Sequence, residues 1–282
     1  TVTRLSETSF LVVTIASSQI RDFAWLTRHL PKDAYVFARD ISSGLPMLAL
    51  MGPKSRELLS SVSNADLSNA AFPFGSSREI EIGYAKARVN RVTFVGELGF
   101  EILMLAEFAQ HVFDVLIEAG KEFGLKHAGY FAINSLRMEK GYRHWGHDIG
   151  EDDTPLEAGL GFAVAWDKKG GFIGRDALVK QRESGPLKKR LVQVKLEGAD
   201  APMLYHEEPI WRDGTVIGSI TSGAYGHRIG ASLGMGYVRC EQGVDAAWLA
   251  AAPLEVEVAW KRHPARAQLA PWYDPKGERI KA

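Results

Sequence analysis

Beyond Lys189 the chain shows no helical periodicity, and this narrows its fold more than any other feature. Short apolar or alternating runs follow one another: RLVQVKL, EPIWRDGTVIGSI, SLGMGYV, LEVEVAW and ARAQL. Each is strand-sized, and Asp213-Gly214 supplies the residue pair favoured in a two-residue hairpin turn. Short strands at this spacing predict a small β-barrel, which leaves no sheet edge open. The segment Arg182 to Lys189, RESGPLKK, reads as the linker into it. The reading is therefore two domains, 1–184 and 185–282, and 282 residues accommodate two cores comfortably.

Ahead of the linker, strands and helices alternate irregularly. Residues 9–14, SFLVVT, read as a buried strand, and Ile20 to Leu30 as a helix with Ile20, Phe23, Ala24, Thr27 and Leu30 on one face. Pro46 to Met51 reads as a strand ending at Gly52-Pro53, and a helix starts near Ser55 with Leu58, Leu59 and Val62 inward. Residues 79–94 read as a hairpin around Gly83, and GELGFEILML as a turn and a strand. Glu107 to Phe123 carries the clearest helical stripe, stopped by Gly124. AINSLRMEKGY is a further helix with a Gly near its end. This is an α+β pattern of antiparallel strands with packed helices; the regular alternation of a doubly wound parallel sheet is absent.

Lys plus Arg equals Asp plus Glu at 34 each, so net charge offers no argument for nucleic acid or an anionic membrane as partner. The longest apolar runs, such as FLVVTIA, are too short to span a bilayer. The lone Cys240 excludes a disulfide framework and a multi-cysteine metal site. It fits a reducing compartment: the cytoplasm, or the mitochondrial matrix in a eukaryote. The chain opens Thr-Val-Thr without Met, which reads as a piece of a longer polypeptide.

Among ionisable residues, Glu101 stands out. Period two sets it beside Leu103 and Leu105 in a strand apolar on both faces, so its carboxylate is expected at least half buried. A buried carboxylate finds a cation, several donors or a proton. The partner is either a neighbouring Arg or a ligand with two parallel N–H donors, as the amino-pyrimidinone edge of a pterin has. Asp22, early in its helix, reads as an acid at the positive end of the dipole. The loop Gly141 to Asp148 crowds Tyr142, His144, Trp145, His147 and Asp148 together. Loops of that composition often sit at sites. Its two histidines lack a third ligand placed by sequence, so no metal is assigned, and Tyr142 and Trp145 either pack the helix end or flank a flat ring. The Glu151-Asp152-Asp153 run reads as a solvated turn. Cys240 reads as core, and Ser219 and Ser222 lack the setting of a nucleophile.

Several blocks carry a family resemblance. GELGFEI, then NSLRMEKGY with TPLEAGL, then GTVIGSITSGAY, MGYV and APWYDP occur in the order found in the folate-binding region of the glycine cleavage T-protein. The same region forms the C-terminal half of dimethylglycine and sarcosine dehydrogenases, and the wording EKGYRHWG is more similar to that flavoprotein branch. The resemblance covers essentially the whole chain. It implies tetrahydrofolate as cofactor, with Glu101 gripping the pterin, Val13 lining the pocket and Tyr273 closing it. It also implies FAD in an upstream flavin domain that oxidises an N-methylated glycine to an iminium. A tetrahydrofolate nitrogen would then capture the one-carbon unit, giving 5,10-methylenetetrahydrofolate and the demethylated amine.

Departures exist. Ile133 stands where the T-protein has an Arg, and Phe94 where it has a folate-contacting Tyr. The family's catalytic aspartate is expected just ahead of Thr1, so no catalytic residue is assigned within the chain. Two other readings stay open: a stand-alone aminomethyl- or methyltransferase to tetrahydrofolate, and a non-catalytic folate-binding module.

Overall fold

Alternating apolar positions between residues 47 and 104 build a four-stranded antiparallel sheet in the computed structural model, which describes every residue from Thr1 to Ala282. Its strands are β3 (Met47–Met51), β4 (Ser77–Ile82), β5 (Ala85–Asn90) and β6 (Gly99–Met104), in the order β3-β6-β5-β4. β1 (Val2–Arg4) and β2 (Phe10–Val12) form a separate two-stranded ribbon. Together with residues 280–282, these elements belong to a first compact unit, 1–93 plus 97–126; residues 94–96 and 127–279 form a second.

In the first unit the pleat divides the sheet. Phe100, Ile102 and Met104 of β6 face a core with Ala87 and Val89 of β5. Two helices, α2 (Ser55–Ser61) and α3 (Ala109–Phe123), supply Leu58, Leu59, Val112 and Leu116 to the same core. Full burial of a side chain such as Phe100 contributes about 2–3 kcal/mol. Gly124, at φ 73°, ends α3 in the left-handed conformation expected of its cap. The β4–β5 hairpin turns at Gly83 as expected.

The N-terminal elements depart from expectation. Residues 9–14 are not a buried strand: only Phe10–Val12 pair, with β1 alone, and Phe10 and Val12 remain about half exposed. The helix is α1 (Gln19–Arg28), with Asp22 in its first turn, but no residue of it is buried and Ile20 is 85% exposed. Its apolar stripe has the right period, yet no second layer of this unit covers it. Asp22 accepts from Thr14 Oγ1 and pairs with Arg21 at 3.0 Å; these bonds, Thr14's first, hold its carboxyl below the usual range.

The second unit contains the expected barrel, closed and six-stranded. β7 (Lys189–Leu196), β8 (Pro209–Arg212), β9 (Thr215–Gly226), β10 (Ala231–Arg239), β11 (Leu254–Val258) and β12 (Lys261–Gln268) run in the order β10-β7-β12-β11-β8-β9. Asp213 and Gly214, at φ 49° and 77°, make the β8–β9 turn, as a hairpin with the native strand twist requires. Helices do not vanish here altogether. A short α6 (Ala246–Ala251) follows Asp245, whose carboxylate accepts from the Trp248 amide at 2.7 Å. A further α5 (Arg175–Glu183) takes in the first two residues read as linker. Cys240 lies partly exposed at the margin of the barrel core.

Helix α4 (Tyr130–Lys140) packs on β9 and β10, and its last four residues are buried although three are charged. Arg137 pairs with Asp148, the two being 2% and 0% exposed. Asp148 also accepts from the His144 amide at 2.8 Å, from Thr221 Oγ1 at 2.7 Å and from Ser222 Oγ. Glu139 accepts from the Arg228 amide at 2.6 Å, and Lys140 reaches Asp274 at 2.9 Å. No charge in this set is left without an opposite charge or a backbone partner. No helix in the structure is long and apolar enough to cross a membrane.

Asp148→Asn should destabilise the chain by about 3–5 kcal/mol in urea unfolding, because it leaves the Arg137 guanidinium buried without a counter-charge. An exposed substitution such as Asp176→Asn should stay within about 0.5 kcal/mol.

Candidate functional site

The sheet of the first unit has a second face, and its side chains are of a different kind. In register across β3, β6 and β5, Ala49 faces Glu101, which faces Asn90; one step along, Met47 faces Leu103, which faces Arg88. Leu103 is buried, Glu101 half-buried and Asn90 only 2% exposed, while Ala49 and Met47 are open to solvent. The face thus mixes Met47, Ala49 and Leu103 with a carboxylate and a carboxamide on neighbouring positions.

The Glu101 side chain has no hydrogen bond or ion pair, and its Oε2 is shielded from water without a partner. The plain alternative to a ligand was a neighbouring arginine. Arg88, on the adjacent strand, turns instead toward Glu79 at 3.7 Å and Ser77 Oγ at 3.5 Å. Arg91 is 1% exposed and donates to the carbonyls of Phe72, Lys281 and Ala282 at 2.6, 3.0 and 2.8 Å. Neither reaches Glu101. An acceptor left in this state costs about 1–3 kcal/mol, more for a charged group, so the strand carries a carboxylate that the fold itself does not need. Such a group suits a ligand with two parallel donors.

Val13 lies just past β2 in the same unit. Its backbone is bonded in both directions to Thr1, each at 2.9 Å, and its side chain is half-buried. Tyr273 belongs to the second unit. Its amide donates to the Glu139 carbonyl at 3.1 Å, its ring lies against Gly96, and the guanidiniums of Arg228 and Arg279 stand 5.1 and 5.5 Å from the ring centre. A side chain at position 96 would start 2.6 Å from that ring.

The aromatic and ionisable loop has a different use from the one its composition suggests. Asp148 is the buried partner of Arg137, so it is not available as a metal ligand. Trp145 and Ile149 form a bridge, and Tyr142 stacks on Phe94 with ring centres 5.9 Å apart. Burial, then the nearby Asp274, pushes the Tyr142 hydroxyl up to about 12. Burial, then His147 and Arg137, pushes His144 down. The two histidine rings are 4.7 Å apart, but no group of three or more His, Cys, Asp or Glu is placed to hold a metal ion. Asp153 is not solvated as the acidic run implied: it pairs with Lys189 at 2.6 Å, both side chains 15% exposed.

Asn90 escaped sequence reasoning altogether. Both its Oδ1 and Nδ2 are buried without partners, beside Glu101 in the register. The signal was present, since Lys86, Arg88 and Asn90 alternate with the buried Ala85, Ala87 and Val89. Two cavities lie elsewhere, in the second unit. One, of about 890 Å³, is lined by residues 166–177, and the other, of about 180 Å³, by Arg143, Gln193 and apolar neighbours. Neither includes Glu101, Val13 or Tyr273, so the chemistry of the unpaired carboxylate and carboxamide, not cavity size, marks the site.

Comparison with known proteins agrees with this architecture. The chain is 43% identical over its full length to 4-methylaminobutanoate oxidase (formaldehyde-forming) of Paenarthrobacter nicotinovorans, covering 33% of that protein. It is 38% identical over 86% of its length to mitochondrial sarcosine dehydrogenase of Mus musculus, covering 26% of it. The chain therefore spans a third or less of these relatives. The crystal structure of glycine cleavage system aminomethyltransferase T from Bartonella henselae superposes with a TM-score of 0.77 at 26% identity, over 96% of this chain and 70% of that one. The GCVT N-terminal domain matches residues 1–168 and the glycine cleavage T-protein C-terminal barrel domain residues 189–274, and the chain accordingly belongs to the glycine cleavage T-protein family.

Proposed function

We propose that this chain binds tetrahydrofolate and serves the capture of a one-carbon unit within a longer flavin-dependent N-methylamine dehydrogenase or oxidase. The observation that carries the reading is Glu101, a half-buried carboxylate without protein partners on the face of the sheet away from the core. Its two oxygens match the 2-amino and N3–H donors of a pterin in the way a carboxylate matches guanidinium. Val13, of the same unit, would line the pocket. The domain division we propose with it is 1–184 for folate binding and 185–282 for the barrel.

The similarity to 4-methylaminobutanoate oxidase and sarcosine dehydrogenase supports placing the chain beside an FAD-containing domain of the same polypeptide. There an N-methylated amine, N-methylglycine among them, would be oxidised to an iminium. Tetrahydrofolate, held by Glu101, would supply the nucleophilic nitrogens for taking up the one-carbon unit. The part of these residues is to bind and orient: Glu101 fixes the edge of the heterocycle, so that the reacting nitrogens are held rather than collected by diffusion. We assign no general base to residues 1–282.

Calorimetric titration with a reduced folate tests the assignment. Glu101→Gln keeps the shape but replaces one acceptor oxygen by a donor, so affinity should fall about tenfold or more, the scale of one charge-assisted hydrogen bond. Equal affinity in the two proteins would remove the basis of the reading. Residues 1–282 alone, supplied with formaldehyde and an amine as iminium source, should bind folate without accelerating methylenetetrahydrofolate formation. Enzyme-like turnover would put the base inside this chain.

A further inference from the structure

Three buried polar atoms without partners belong to two neighbouring positions on the face of the sheet away from the core: Oε2 of Glu101, and Oδ1 and Nδ2 of Asn90. The two residues are direct partners in the β5–β6 register, and such pairs hold their Cβ atoms about 5 Å apart. Both point away from the core, because Val89, Phe100 and Ile102 on the alternate positions point into it. A buried carboxamide with neither end satisfied is rare, and two unsatisfied groups on adjoining positions of one face call for a shared explanation.

Chemistry supplies one. A carboxylate only accepts, whereas a carboxamide NH₂ carries two donors. Beside Glu101, the favourable orientation of Asn90 is the one that turns Nδ2, not Oδ1, toward the carboxylate. In that orientation a donor stands beside the two carboxylate oxygens, and neither side chain is engaged by the protein. The edge presented to the ligand is acceptor, acceptor, donor. Its complement is two donors followed by an acceptor, which is the sequence 2-amino, N3–H, 4-oxo along an amino-pyrimidinone. A 4-amino ring has no N3–H and puts a donor against a donor.

We infer that Asn90 is a specificity-determining residue that reads the 4-oxo group of the bound heterocycle. This deepens the assignment of a pterin to Glu101 and rests on it. It makes the site selective for 4-oxo over 2,4-diamino pteridines, a distinction Glu101 alone draws only in part.

The test is a pair of titrations, tetrahydrofolate against its 4-amino analogue, on the wild-type chain, Asn90→Leu and Glu101→Gln. Leucine removes both unpaired polar ends from a buried position, so the variant should unfold thermally no lower than the wild type. Wild type should favour tetrahydrofolate by about a hundredfold, with two complementary contacts each worth roughly tenfold. Asn90→Leu should reduce that ratio about tenfold, through weaker binding of tetrahydrofolate and unchanged binding of the analogue. A merely structural role would weaken both ligands alike and leave the ratio unmoved, and that result overturns the inference. So does a wild type that does not discriminate. If the wild type binds neither ligand, or Glu101→Gln binds tetrahydrofolate as well as the wild type does, the pterin assignment falls first and this inference with it.

Discussion

The pleat of a single strand governs the candidate site. In β6, successive residues point to opposite faces, so Phe100, Ile102 and Met104 anchor the core of the first unit while Glu101 and Leu103 are delivered to the other side. The same apolar contacts that hold the strand in place leave Glu101 no freedom to swing elsewhere, since a slip of one residue would bury the carboxylate in the core. Register then brings Asn90 beside it. A rigid floor with two polar groups projecting from it is what a flat heterocycle requires, and the core on the reverse face provides the rigidity.

The second unit shows how a region that looks functional in sequence can be structural. Helix α4 ends in Arg137, Met138, Glu139 and Lys140, all buried, and the loop after it folds back so that Asp148 meets Arg137. The charges are matched within the unit: Asp148 also takes donors from Thr221 and Ser222 of β9, and Glu139 from the Arg228 amide. Asp148, at least, is in this loop to meet the buried end of the helix. Each of those buried charges needs a partner: the loop brings Asp148 to Arg137, while Glu139 takes the Arg228 amide and Lys140 takes Asp274. Glu101 is the opposite case, a half-buried charge that no part of the fold neutralises.

Much of the architecture was legible. The barrel followed from short runs with turn residues, and the hairpin at Asp213-Gly214 from two residues that accept positive φ. Helix α3 and its Gly124 cap followed from an apolar stripe and a stop. The N-terminal strand was overread, because an apolar run signals burial only when another layer exists to cover it, and β2 has one partner strand. The acidic turn was underread, since Asp153 finds Lys189 thirty-six positions away.

Periodicity was enough to put Glu101 in a strand between apolar neighbours, and from that to expect a carboxylate with unusual needs. Local pattern decides which face a side chain takes, because the pleat depends only on chain geometry. Whether that carboxylate would meet an arginine, and whether Asn90 would stand beside it, depended on strand order and register. Those are set by long-range packing of β3, β5 and β6. Only the folded chain shows that Arg88 and Arg91 are engaged elsewhere and that two neighbouring polar groups are left without a partner within the protein.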